Sequence, residues 1–368
     1  MIAQFPFHID YKPRLGRKTD YGIGFVGTGG IVQYAHIPAY KKAGFRMVAC
    51  YDIDHETAQR VASEHGISRV HRSLEDLLAD PAVEIVDIAV QPWHQLSIVE
   101  KVAAAGKHML CQKPLSQDFD EAVRIVEIAK QAGVKQAINQ QMRWDAGIRA
   151  SKILIEQGFI GQPTDAQIQV SVATPWHMWP WLAAVDKLEV MFHSIHYLDA
   201  IRFLFGDPEW VTSRHARYAG QGQVKGETKT ITVLDYQSGL QALVSVNHYN
   251  QFAEPFATFR FIGTEGAIDG TIGLMYNYPA GRPDTIEITS AKFGPGVKVT
   301  PTLDEMWIPD AFVGTMASLM EAIETNSTPR DNSTEDNLNT LRVVHAAYQS
   351  ASENRSVRPA EIGVGTRQ

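Results

Sequence analysis

Lys113, His193 and His196 are the residues whose types and surroundings could do chemistry. Lys113 stands in Cys111-Gln112-Lys113-Pro114-Leu115, at the expected end of a parallel strand, the edge where ligands of such sheets bind. An ammonium placed there can polarise a hydroxyl or carbonyl oxygen, and Pro114 fixes the chain direction so that the side chain is aimed. An exposed lysine following a strand fits the pentapeptide equally well. His193 and His196 fall in an expected helix over 190–204, with Asp199 three residues further, so all three share one face. Histidine suits removal of the proton from an alcohol as hydride leaves its carbon, because its pKa lies near working pH. Two core histidines satisfied by backbone groups would give the same spacing. Zinc is not expected, since no cysteine or carboxylate set supplies further ligands at a recognisable spacing, and no metal is assigned.

Such groups need a cofactor and elements to hold it. Ile23-Gly24-Phe25-Val26-Gly27-Thr28-Gly29-Gly30-Ile31 is an apolar run that breaks into a glycine-dense turn, the pattern of a phosphate-cradling strand-to-helix junction. The literal G-x-G-x-x-G of Gly22, Gly24 and Gly27 would put the turn inside a run that reads better as a buried strand. The working turn therefore starts at Gly27, with Gly29 letting the backbone approach a pyrophosphate and a helix opening at about Gly30. Val32 stands where a third small residue is usual. A second apolar run, 46–51, ends in Asp52, 25 residues beyond Gly27, where a carboxylate closes on ribose hydroxyls. Capping of the helix that starts near Glu56 is the other use of Asp52. Because a 2′-phosphate would meet that charge at short range, NAD is expected over NADP. The cofactor site is expected to comprise Gly27, Thr28, Gly29, Gly30, Ile31, Asp52, Gln91, Pro92, His94, Gln112 and Lys113.

The formal charge of −7 and 34 basic residues spread without a stripe argue against nucleic acid. No apolar run reaches the ~18 residues of a membrane span, and the N-terminal segment MIAQFPFHIDYKPRLGRK lacks a continuous apolar core, so a cytoplasmic protein with no membrane partner is expected. Cys50 and Cys111 are the only two cysteines and read as buried and reduced.

Short apolar runs near 22–27, 46–51, 85–90, 107–111 and 134–138 alternate with helical stretches 56–65, 96–105 and 119–132, as a doubly wound parallel sheet requires. Beyond 143 the rhythm changes. A helix over 148–157 precedes alternating runs at 164–172, 209–218, 227–236, 240–249 and 256–262, interrupted by the helix 190–204, and two helices near 310–325 and 335–352 close the chain. The expected fold is α/β, with an N-terminal Rossmann domain over 1–142 and a C-terminal α+β domain over 143–368 built on a largely antiparallel open sheet.

Taken together the motifs resemble the glucose-fructose oxidoreductase / inositol dehydrogenase (Gfo/Idh/MocA) family from Tyr21 to about Pro359. They are the glycine turn, Ala105-Gly106-Lys107-His108 leading to Gln112-Lys113-Pro114, Arg143-Trp144 before a helix ending Gly158-x-x-Gly161, and His196-x-x-Asp199 before Leu204-x-Gly206. The resemblance implies NAD(P)-dependent oxidation or reduction of sugars and polyols, Lys113 as catalytic or substrate-orienting lysine, and His196 as general acid/base. It also implies a C-terminal sheet that joins subunits, hence a homodimer or homotetramer. Two departures stand out: Gln112 replaces a usual glutamate, and Phe192 replaces a usual carboxylate four residues before the histidine, with His193 the nearest polar substitute. The expected activity is hydride transfer between a secondary alcohol of a sugar, sugar acid or polyol and the nicotinamide, with His193 as a third catalytic group. Substrate contacts are expected from Lys113, His94, Arg143, Trp144, Trp176, His177, Trp179, His193 and His196. Glycoside cleavage through transient oxidation and a non-catalytic NAD-sensing role are the alternatives.

Overall fold

The computed structural model describes residues 8–363, so the start of the N-terminal segment lies outside it. The chain forms two compact units, one of Pro13–Trp144 with Ile308–Leu338, the other of the residues up to Lys12, Asp145–Trp307 and those from Asn339 on. Residues 308–338 thus pack with the N-terminal sheet, whereas the sequence reading put everything beyond 142 in one C-terminal domain. The cause is the helix Ala311–Thr325, which is apolar almost all round and buried over most of its length. Its Phe312, Met316, Leu319 and Met320 complete a core with Ile23, Phe25, Ile37 and Tyr40.

The first unit is a six-stranded parallel sheet of β1 (Ile23–Val26), β2 (Met47–Tyr51), β3 (Arg69–Val70), β4 (Ile85–Ile88), β5 (His108–Gln112) and β6 (Gln136–Asn139). The order β3-β2-β1-β4-β5-β6 reverses direction between β1 and β4, which makes a crevice at their carboxyl ends. Crossover helices His55–His65, Pro92–Ala104 and Phe119–Ala132 run between the strands. Asp54 and Asp118 cap the first and third by accepting from Thr57 and Glu121 N–H, each worth ~1 kcal/mol. The two-residue β3 carries no apolar run and left no sequence signal. The β6 edge is covered by an antiparallel bridge from Ala137 to Ser333, with Ile138 N–H donating to Asn332 O at 2.9 Å.

The second unit holds β7 (Pro163–Ser171), β8 (Trp210–Ala216), β9 (Lys229–Asp235), β10 (Gln241–Asn247), β11 (Phe256–Gly263), β12 (Gly266–Thr271), β13 (Thr285–Ser290) and β14 (Lys298–Val299). Their order is β14-β13-β12-β11-β7-β10-β9-β8, antiparallel at every step except the parallel pair β7/β10. Burial alternates along β10, where Ala242, Val244 and Val246 face the core and Leu243, Ser245 and Asn247 the other side. Helix 189–205 opens with a wider π-turn, Val190–Ser194, before continuing as α-helix Ile195–Phe205. No described helix is long and apolar enough to cross a membrane. Cys50 and Cys111 are buried free thiols, pushed up to about 11 and about 12 by desolvation.

Candidate functional site

In the parallel-sheet unit the glycine turn leaves β1 at Gly27, whose φ of +91° and approach to Ala89 O (2.5 Å from an ideal Cβ) admit glycine alone. A Cβ on Gly29 would meet nothing within 4 Å, so the chain leaves open space at the mouth of the following helix. That helix begins at Gly30, as its first N–H groups require for holding phosphate, and passes through a π-turn over Val32–His36. Val32, the departure from the usual small residue, is buried in the core. Gly24 lies inside β1, so the rejected glycine register has no turn to make.

Asp52 does not cap the next helix, since Asp54 does. Asp52 instead braces the turn: Oδ2 accepts from Thr28 N–H (2.6 Å) and Thr28 Oγ1 (3.0 Å), and Oδ1 accepts from Asp54 N–H (3.0 Å). Beside it Ile53 is 94% exposed, an open apolar side chain that the strand pattern gave no reason to single out. An adenosine pyrophosphate fits these residues: the open Gly29 for the phosphates, the helix N-terminus for their charge, and a half-buried carboxylate for the ribose.

Gln91 is the residue before the helix Pro92–Ala104, Pro92 occupies its first position, and His94 is exposed on its first turn, accepting from Trp93 Nε1 at 3.0 Å. Lys113 follows β5 directly. Its stem is partly exposed, while desolvation of the amine pushes its pKa down to about 7. Gln112, expected at the cofactor, is turned inward and buried: its Oε1 accepts from Lys113 N–H (2.8 Å), and its Nε2 faces His36 Nε2 (3.2 Å). His36 Nε2 also faces Asn139 Nδ2 (3.1 Å), and its Nδ1 lies 2.7 Å from Asp87 Oδ2. Two amide donors on Nε2 require the neutral tautomer with its proton on Nδ1, donated to Asp87. Tyr40 OH donates to the same oxygen at 2.6 Å. Gln95, which sequence reasoning passed over, donates from Nε2 to Gln112 O (2.7 Å) and Pro114 O (2.8 Å).

Arg143 and Trp144, expected at the substrate, are committed elsewhere. Arg143 is buried, with Nη1 donating to Asp331 O (2.8 Å) and Nη2 paired with Asp336 (2.8 Å). Trp144 is buried against Gly314, where a Cβ would come within 2.0 Å of its ring.

In the mixed-sheet unit the π-turn presents His193, and His196 follows on the first turn of the α-helix. His193 tilts against His248 (4.6 Å between centroids), and Trp176 meets both edge-on at 5.8 and 5.4 Å. His248 follows β10 directly, and its Nδ1 is 2.6 Å from Thr174 Oγ1 in the segment beyond β7. Its Nε2 lies 3.7 Å from the fully buried Glu189, which accepts from Ser194 Oγ (2.6 Å) and Thr230 Oγ1 (2.5 Å). Two loops at the carboxyl ends of the parallel pair thus converge on His193. Trp176 Nε1 and His248 Nε2 find no hydrogen-bond partner among the described residues. His248 carried no signal, because only the strand pairing brings it to His193, whereas Glu189 stands four residues before His193 on the same helix and was passed over. His196 is buried edge-on to Trp307 (5.1 Å). His177 is exposed, Trp179 tilts against Tyr278 (5.7 Å), and Phe192 packs against Trp181 (5.7 Å). Asp199 is an anchor, accepting from Thr340 Oγ1 at 2.5 Å. Among the described residues no cluster of three or more His, Cys, Asp or Glu could hold a metal.

A Rossmann sheet with open space at Gly29 of its glycine turn, in a chain whose second unit is built on a mixed open sheet, is the architecture of a nucleotide-dependent oxidoreductase. Residues 21–140 match the oxidoreductase family model with an NAD-binding Rossmann fold, and residues 148–269 match the GFO/IDH/MocA C-terminal domain. The chain belongs to the Gfo/Idh/MocA family of oxidoreductases. It is 29% identical over 325 residues to D-apiose dehydrogenase of Rhizobium rhizogenes, covering 85% of this chain and 90% of that one. It is 27% identical to 1,5-anhydro-D-fructose reductase of Ensifer adhaerens, covering 93% and 98%. The fold matches an oxidoreductase from Agrobacterium radiobacter solved with NAD+, L-tartaric acid and magnesium, with a TM-score of 0.81, 24% identity and 93% and 99% coverage.

Proposed function

We propose that this protein is an NAD-dependent dehydrogenase acting on a secondary alcohol of a sugar, sugar acid or polyol. The observation that carries the reading is Lys113, held directly after β5 at the ligand-binding edge of a nucleotide-binding sheet with its pKa lowered to about 7. Relatives named for D-apiose and 1,5-anhydro-D-fructose chemistry support a carbohydrate substrate.

NAD, when bound, supplies the hydride acceptor at C4 of its nicotinamide. Gly27, Thr28, Gly29, Gly30 and Ile31 would hold its phosphates, Asp52 a ribose hydroxyl and Ile53 an adenine face. Gln91, Pro92 and His94 would line the cofactor side. Lys113, as an ammonium, donates to the reacting oxygen and stabilises negative charge developing there. His196 takes the hydroxyl proton. His193, His248 and Trp176 offer hydrogen bonds and an aromatic wall to neighbouring hydroxyls, with His177 at the rim.

The test is NADH formation across aldoses, aldonic acids and inositols. A substrate that gives net NADH, with K113A and H196A each lowering kcat about a hundredfold or more while NAD binding persists, meets the proposal. Turnover without net NADH accumulation would indicate a transient redox cycle and refute it, as would near-normal turnover in both variants.

A further inference from the structure

The backbone around Lys113 is held by more buried hydrogen bonding than a strand end needs. Gln95 is fully buried, and one amide nitrogen reaches the carbonyls on both sides of Lys113, those of Gln112 and Pro114. The reverse amide orientation would set an oxygen against two carbonyl oxygens, so Nε2 is the donor. From the other side, Lys113 N–H donates to the Gln112 side chain, which continues to His36, Asp87, Tyr40 and Asn139. His36 and Tyr40 belong to the helix that opens at the glycine turn. The carbonyls of Gln112 and Pro114 and the amide of Lys113 between them are therefore each fixed.

We propose that Gln95, together with Gln112, is a positioning residue for Lys113, clamping the backbone on both sides so that the amine is held in one place and tied to the cofactor-binding helix. The proposal rests on Lys113 being the working amine. Neither glutamine touches reacting atoms, and their amides add no charge beneath the lysine, so the clamp acts through geometry. Loss of either arm frees the segment to turn and lets the amine rehydrate.

The experiment is competitive acetylation with trace acetic anhydride across pH, reading the Lys113 peptide by mass spectrometry in the intact protein. Wild type should label with a midpoint near about 7. In Q95L and Q112L the midpoint should rise by about one unit or more toward the ordinary lysine value. Q95M, which keeps the length but cannot donate to carbonyls, should move in the same direction. With any substrate that turns over, Q95L should lower kcat about tenfold or more with KM for NAD nearly unchanged. Thermal midpoints of the variants will fall for purely structural reasons and decide nothing. An unchanged labelling midpoint in Q95L and Q112L overturns the proposal, and so does unchanged kcat in a variant that folds. Labelling needs no substrate, so an empty substrate screen refutes the proposed function alone. Should Q95L not fold, Q112L labelling decides.

Discussion

Asp52 braces the glycine turn and, in the proposed function, holds a ribose hydroxyl with the same carboxylate. Three protein donors occupy its oxygens, from Thr28 N–H, Thr28 Oγ1 and Asp54 N–H, which leaves about one lone-pair direction for a ribose hydroxyl. D52S should therefore raise KM for NAD about tenfold and also erode the preference for NAD, because the charge that repels a 2′-phosphate is gone. Ratios of kcat/KM for NAD and NADP measured on wild type and variant check this, and an unchanged ratio refutes it. His193 gives the second prediction at this scale. It packs against His248 from a π-turn, a local widening often found at functional sites. H193A should raise KM for substrate several-fold; a lowered thermal midpoint with unchanged kinetics would make the residue structural. Lys113, His193 and His196 were singled out because each type has a chemical reason to sit where its local pattern put it. Gln95 and His248 were not, since a glutamine on a helix and a histidine past a strand mean nothing until β5 and β10 bring them to their partners. The contacts of Arg143 and Trp144 were hidden for the same reason, since Asp331, Asp336 and Gly314 lie far along the chain from both side chains they meet.

Elements that rest on local pattern came through the sequence almost whole. Phe119–Ala132 was bounded by an Asp cap, an apolar stripe and a closing glycine, all in the local chain. β12 was missed because Gly266-Ala-Ile-Asp-Gly-Thr carries little alternation and depends on pairing with β11 for its existence, whereas Thr285-Ile-Glu-Ile-Thr-Ser of β13 does alternate and was passed over. The helix Ala146–Glu156 exposes a further device at its start. Asp145 caps it by accepting from Ile148 N–H (3.2 Å), and beside it Asp284 Oδ2 accepts from Gly147 N–H (3.0 Å). Burial first, then the charge of Asp284 and a hydrogen bond to it, raise Asp145 well above the usual carboxylate range, and burial also raises Asp284. An acid raised on folding keeps its proton after the unfolded chain has released it. The pair therefore contributes stability that is complete below the ordinary carboxylate pKa and is lost as pH rises through the raised values. D145N keeps both a cap acceptor and a donor to Asp284 while removing one titration. It should unfold about 2–4 °C or more above wild type at neutral pH and show a flatter decline between weak acid and neutrality. Equal slopes of thermal midpoint against pH would refute the shared proton.

For the whole molecule, the open question in the sheet of the second unit is what covers its outward side. β9 and β10 pair so that Val233 lies opposite Leu243 and Ile231 opposite Ser245, while Leu243 meets Gln167 and Ser245 meets Gln169 across the parallel join with β7. Within the described unit these side chains are only partly buried, and Ile231 is 45% exposed. Aliphatic groups interleaved with uncharged polar ones at the centre of an eight-stranded sheet suit a self-complementary interface between copies, because two such faces can meet without burying an unpaired charge. Assembly as a homodimer or homotetramer through this face is accordingly expected. Light scattering coupled to size exclusion should give a mass of two or four chains for the wild type. L243E, which sets a carboxylate at the centre of the face, should shift the mass to one chain or to the smaller assembly. NAD binding to the parallel-sheet unit should survive, because its glycine turn, Asp52 and the Lys113 clamp are all built from residues of that unit. A wild-type monomer, or an L243E variant with unchanged mass, would rule out this face as the contact.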